Sequence, residues 1–108
     1  MSAYLLIESR DPYESGDCGH VSGLAIGLKH AGNNVSVLLI NNGVLPARRG
    51  SINEHLNALL RGGITVLADD FSLRERGIFP GKLRQGVEPA AIGLVIDKLL
   101  RGVKVIWH

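Results

Sequence analysis

One cysteine, Cys18, in 108 residues excludes an internal disulfide. With no Cys-x-x-Cys pair, it also excludes a structural zinc ribbon or finger. A reducing compartment is the default for such a chain. Long apolar runs are missing too. Val37-Leu38-Leu39-Ile40 is far shorter than a membrane span, and Tyr4-Leu5-Leu6-Ile7 stops at Glu8 with no positive region before it. Neither a membrane association nor a secretory leader is expected, and the expected location is cytoplasmic. Charge is nearly balanced: Lys+Arg of 12 against Asp+Glu of 10 leaves +2, too little to argue for nucleic acid. No low-complexity tract or linker divides the chain.

What is present is enough to fold. Apolar residues make up 45% and charged residues 20%, which excludes a disordered chain. A chain of this length has room for one domain, expected over residues 1–108. Its charges are unevenly placed. Glu8, Asp11, Glu14 and Asp17 face Arg10 alone near the amino end, whereas Arg74, Arg76, Lys82 and Arg84 face only Glu75. Poles of opposite sign are compatible with subunits docking on one another, and equally with ordinary solvated loops.

Three segments share one pattern: a helix-period stripe, a glycine, then a short β-rich run. The stripes are Val21, Leu24, Ala25 and Leu28; Ile52, Leu56, Leu59 and Leu60; and Ala91, Val95 and Leu99. Spacings of i, i+3, i+4 and i+7 predict helices with one buried face. Gly32, Gly63 and Gly102 then suit the left-handed residue that ends a helix. The runs that follow are Val35–Ile40, Ile64–Leu67 and Val103–Trp107. With Ala3–Ile7 as an opening strand, the order is β-α-β-α-β-α-β. Strands joined by helices run parallel, and parallel strands need cover on both faces. The expected fold is a small three-layer α/β sandwich, flavodoxin-like, with a parallel sheet of four to five strands. Pro89 is expected in the first turn of the last helix. A long Gly/Pro-bearing loop before it, with Gly77, Pro80, Gly81 and Gly86, is of a kind often functional or oligomer-forming.

In open α/β sheets, ligands gather at the carboxyl ends of the strands. Here that edge receives Glu8, Ser9, Arg10 and Asp11, then Cys18 and His20 where the first helix opens. Asn41, Asn42 and Gly43 follow the second strand, Asp69 and Asp70 the third, and Trp107 and His108 the last. Gly16-Asp17-Cys18-Gly19 is neither a dinucleotide fingerprint nor a P-loop. Cys18 at a helix amino terminus has its thiolate favoured by backbone N–H groups and the dipole, while Asp17 opposes ionisation. Its plain alternative is a small residue that starts a helix. His20, His30, His55 and His108 stand at no metal spacing, so no metal or cofactor is expected. His30 and His55 are placed on exposed helix faces. In Asp69-Asp70, an aspartate before Phe71–Arg76 reads as a helix cap, the other use of two adjacent carboxylates being as general acid and base.

Tyr4-Leu5-Leu6-Ile7-Glu8-Ser9-Arg10-Asp11-Pro12, Asn42-Gly43-Val44 with Ala47-Arg48-Arg49-Gly50, and Leu67-Ala68-Asp69-Asp70-Phe71-Ser72-Leu73-Arg74-Glu75-Arg76-Gly77 together resemble the DsrE/DsrF/TusD-like family. The closing Lys104-Val105-Ile106-Trp107-His108 extends the likeness along nearly the whole chain. The resemblance implies a small flavodoxin-like fold, trimeric or hexameric assembly, and a link to intracellular sulfur relay, with relay proteins as partners. In the family's best understood branch, a cysteine after the third strand carries persulfide sulfur. The matching stretch here, Leu67-Ala68-Asp69-Asp70, has no thiol. Cys18 is therefore the catalytic candidate, on another element. The alternative is an oligomeric small-ligand or protein-binding module without covalent chemistry. Its pocket would be Glu8, Arg10, Asn41, Asn42, Asp69, Asp70 and Trp107, with His20 beside them.

Overall fold

A computed structural model describes residues 2–11 and 18–108, and for Cys18 only its place in the backbone. Five strands form one parallel sheet: β1 (Ala3–Glu8), β2 (Asn34–Leu39), β3 (Thr65–Asp69), β4 (Val87–Ala90) and β5 (Lys104–Trp107). Four α-helices connect them: α1 (Cys18–His30), α2 (Glu54–Arg61), α3 (Asp70–Glu75) and α4 (Gly93–Leu100). Spatially the strands run β4-β3-β2-β1-β5.

This order follows from crossover handedness. The chain steps outward from β1 through β2 and β3 to β4, then returns across the sheet to place β5 on the free side of β1. Right-handed crossovers put three successive outward connections on one face and the single return connection on the other. The packing shows that division. Leu6, Val37, Leu39, Val66 and Ala68 meet Val21 and Ala25 of α1, Leu56 and Leu59 of α2, and Leu73 of α3. The opposite face holds Leu5, Ile7, Leu38 and Ile40, packed with Leu67, Val95, Val103 and Val105. β1 and β2 are buried on both sides, so their sequences are almost continuously apolar.

The helices stop where the glycines require. Gly32, Gly63 and Gly102, with φ of +91°, +73° and +81°, follow α1, α2 and α4. At the other end of α2, Asn53 Oδ1 accepts the Leu56 N–H at 2.9 Å.

β4 has no counterpart among the four strands placed by the β-rich runs, although a sheet of four to five allowed it. Its sequence, Val-Glu-Pro-Ala, is short and has no apolar run. Pro89 lies in this strand and not in the first turn of α4. β4 is an edge strand with one neighbour, so an imino nitrogen on its open side removes no ladder bond. The segment after β2 also differs from a simple loop: Asn41–Ala47 forms a 3-10 helix with Pro46 inside it. Beyond it, Arg48 pairs antiparallel with Leu83. The Arg49 N–H donates to the Lys82 carbonyl at 2.6 Å, and the Arg84 N–H to that of Ala47 at 2.7 Å. The long crossover loop is thus tied to the body of the fold.

Candidate functional site at the carboxyl ends of the strands

Register gathers the predicted residues on one edge. Ile7 is level with Leu38 and Trp107, and Leu38 with Leu67. One step further stand Glu8, Leu39 and Ala68, and then Asp69. Within that edge the polar groups form two separate clusters.

The first is centred on β1 and β5. The His108 N–H donates to the Ile7 carbonyl at 2.8 Å, and the Ser9 N–H and hydroxyl donate to the His108 carbonyl at 3.0 and 2.9 Å. This continuation of the ladder sets His108 beside Glu8. Their side chains meet, Nδ1 to Oε2, at 2.5 Å. Glu8 is only 5% exposed, so its charge is held where water cannot easily substitute. A carboxylate on Nδ1 fixes Nδ1 as the protonated nitrogen, which leaves Nε2 as the basic position. Next to this pair is a cavity of about 270 Å³ lined by Leu6, Val21, Leu24, Ile106, His20 and His108, with Trp107 at its border. α1 opens at Cys18, and its first turns supply His20 and Val21 to that cavity.

Arg10 borders a small cavity of about 30 Å³, room for one water, together with Glu8, Ser22, Asn53 and His55. His55 is exposed, as its helix stripe implied, yet its ring also packs on α1. A Cβ built on Gly19 would lie 3.0 Å from His55 Cε1. No sequence pattern points to this contact, because it depends on how α2 leans on α1.

The second cluster joins β2 to β3. Asp69 Oδ2 accepts both the N–H and the hydroxyl of Ser72, at 3.0 and 2.7 Å, capping α3. The Ser72 hydroxyl oxygen in turn accepts the Asn41 N–H at 2.9 Å. Asn41 has φ of +50°, a conformation tolerated by asparagine better than by most residues. Asn42 Oδ1 accepts two guanidinium N–H groups of Arg76, at 3.2 and 3.0 Å, and Arg76 also donates to the Ser72 carbonyl. Asp70 is half-buried as the first residue of α3. These groups satisfy one another, and ties of this kind rigidify an edge. Ser72 completes the network without having been singled out in the sequence, and Arg76 joins it, although the sequence showed it only as one charge of the basic stretch.

Glu8 and Asp11 are both buried, and Glu14 and Asp17 lie outside the described residues. Among the described residues, no group of three or more His, Cys, Asp or Glu could hold a metal, and no helix is long and apolar enough to cross a membrane.

The fold is one already known among solved structures. Escherichia coli ychN is similar over the full length of both chains, with a TM-score of 0.87 and 21% identity. MTH1491 of Methanobacterium thermoautotrophicum, described as a protein of unknown function, is similar over both full lengths with a TM-score of 0.81 and 19% identity. BT1422 of Bacteroides thetaiotaomicron, likewise of unknown function, gives 0.72 and 18% identity over 96% of this chain and 94% of its own. At these identities the likeness shows the fold: a five-stranded parallel α/β sandwich. No protein-family profile matches the sequence, and no curated protein is significantly similar to it.

Proposed function

We propose that the chain is a DsrE-like carrier in intracellular sulfur relay, acting in the cytoplasm as one domain of a homo-oligomer, with Cys18 as its sulfur-bearing residue. The observation that carries this reading is the Glu8–His108 pair beside the cavity on which α1 opens. In the step envisaged, the Cys18 thiolate attacks the outer sulfur of a donor persulfide. A new S–S bond forms to Cys18, the donor's S–S bond breaks, and the donor departs as a thiolate that takes up one proton. His108, oriented by Glu8, is the base assigned to manage that proton. Thiol exchange is fastest when the attacking sulfur is ionised and accessible.

Intact mass after exposure to a persulfide donor tests the proposal. The protein gains about one sulfur atom and Cys18→Ser gains none, whereas an unmodified wild-type mass rejects the carrier role. Glu8→Gln is expected to slow the uptake about tenfold or more while leaving the product unchanged.

A second reading, a subunit that binds without covalent chemistry, is favoured by Asp69. At the position where the resemblance implies an acceptor thiol, this chain has a carboxylate engaged in a helix cap.

Both readings include self-association. Among the described residues, α4 is the only α-helix on its face of the sheet, and it has no buried residue. Ile92, Ile96 and Leu99 recur at i, i+4 and i+7 on it, exposed by 54–61%, and Trp107 is 63% exposed. An outward apolar stripe on a thinly covered face is the kind of surface a second copy buries. Native mass spectrometry is expected to give a trimer or hexamer, and Ile96→Glu with Leu99→Glu to return it to 11.6 kDa. A wild-type monomer at micromolar concentration would reject assembly.

A further inference from the structure

A second site lies away from the Glu8–His108 cluster, and it needs no sulfur chemistry. The antiparallel pairing of Arg48 with Leu83 brings two separate basic segments together. Between them is a cleft of about 520 Å³ lined by Arg48, Arg49, Arg76 and Lys82, with Gly77, Ile78 and Gly81 completing its wall. No carboxylate lines it. Among the described residues none of these four cations has an acidic partner; the ion pairs formed are Arg61–Glu54, Arg101–Asp97 and His108–Glu8.

The cations are held on a stiff frame. The backbones of Arg49 and Lys82 are joined by a 2.6 Å hydrogen bond. Arg76 is anchored through Asn42 and the Ser72 carbonyl, and Arg48 Nε donates to the Leu45 carbonyl at 3.2 Å. The side chains of Arg49 and Lys82 form no hydrogen bond with any described residue. Like charges fixed close together repel unless an anion lies between them. The glycines at positions 77 and 81 leave open space, since a Cβ at either would meet nothing within 4 Å.

We propose that this cleft binds the phosphoryl group of a small phosphorylated molecule. Its volume falls in the range of small-ligand pockets, and its polar lining disfavours an apolar ligand. Guanidinium forks match a tetrahedral, multiply charged oxyanion, with lysine adding a point charge. Four of the 12 Lys and Arg line this one cleft, and the chain's net charge is only +2, which favours a small ligand over a nucleic-acid backbone.

Titration of the wild-type protein with inorganic phosphate and with pyrophosphate, followed by amide and arginine NMR shifts, tests the assignment. Saturable shifts confined to residues 47–49 and 76–82 are expected, with pyrophosphate the tighter ligand. Arg49→Gln and Lys82→Gln should each weaken binding about tenfold, and Arg61→Gln, outside the cleft lining and paired with Glu54, should leave it unchanged. Melting curves identify any variant that fails to fold. Absence of saturable shifts, equal loss in Arg61→Gln, or binding seen only with a long single-stranded oligonucleotide would overturn the proposal. So would assembly that dissociates on Arg49→Gln without any phosphate binding, because the cleft would then be a protein contact.

Discussion

Replacing Gly43 by alanine is expected to destabilise the protein by about 3 kcal/mol, a fall in melting temperature of roughly 10–20 °C. Gly43 lies in the 3-10 helix that follows β2, and its N–H donates to the Ile40 carbonyl at 2.8 Å. The Glu8 carbonyl accepts the Ile40 N–H at 2.9 Å, which crosses the two central strands at their ends. A Cβ on Gly43 would stand well inside contact distance of that same Glu8 carbonyl oxygen and 3.0 Å from its carbon. Main chain cannot swing aside as a flexible side chain can. Either the 3-10 helix lifts away or the end of β1 moves, and a moved β1 takes Glu8 from His108. Thermal melts at several protein concentrations measure the loss and separate it from any change in assembly. A shift below about 2 °C would show that this crossing relaxes at little cost.

Asp69→Ala is expected to cost about 2–4 kcal/mol, read as a lower denaturant midpoint with an unchanged slope. Asp69 is 7% exposed and Ser72 2% exposed, so the two donors freed by the substitution do not readily find water. Loss of a cap alone accounts for about 1 kcal/mol, and an unsatisfied buried hydroxyl adds to it. The damage should spread to Asn41, whose N–H is held by the same hydroxyl oxygen. Asp69→Asn retains an acceptor and should cost less than half as much. Equal losses in the two variants would mean that the carboxylate acts through its charge and not as a cap.

The two substitutions concern the same structural property, the fixing of strand ends to one another. The edge carrying Glu8, His108 and the opening of α1 is built on β1, which has neighbours on both sides. Cross-ties at β1–β2 and β2–β3 hold that edge in register. A carboxylate–imidazole pair is useful to chemistry only if its geometry persists, and the ties supply that persistence.

The buried faces of α1 and α2, the glycine stops and the doubly buried strands were legible from the order of residues alone, whereas the expected buried stripe Ala91, Val95 and Leu99 was not met: Ala91 precedes α4, Leu99 is 54% exposed and no residue of α4 is buried. Each of the legible features is set by short-range periodicity and by the conformational freedom of particular residues. The parallel sheet followed from them, because helices between strands leave no other direction. So did the gathering of Glu8, Asn42 and Asp69 on one edge, since strands that run together end together. Three things were decided only by the tertiary structure. β4 was hidden, because an edge strand has a single neighbour and needs neither an apolar run nor a backbone N–H at every position, so it accommodates Pro89, which has none. The pairing of His108 with Glu8 arose because the return crossover sets β5 beside β1, 100 residues away in sequence. The joining of Arg48 and Arg49 to Arg76 and Lys82 required a two-residue bridge between distant loops. Local patterns fix what each segment becomes, but neighbours separated by long stretches of chain are chosen by packing and crossover handedness, which no short window of sequence contains.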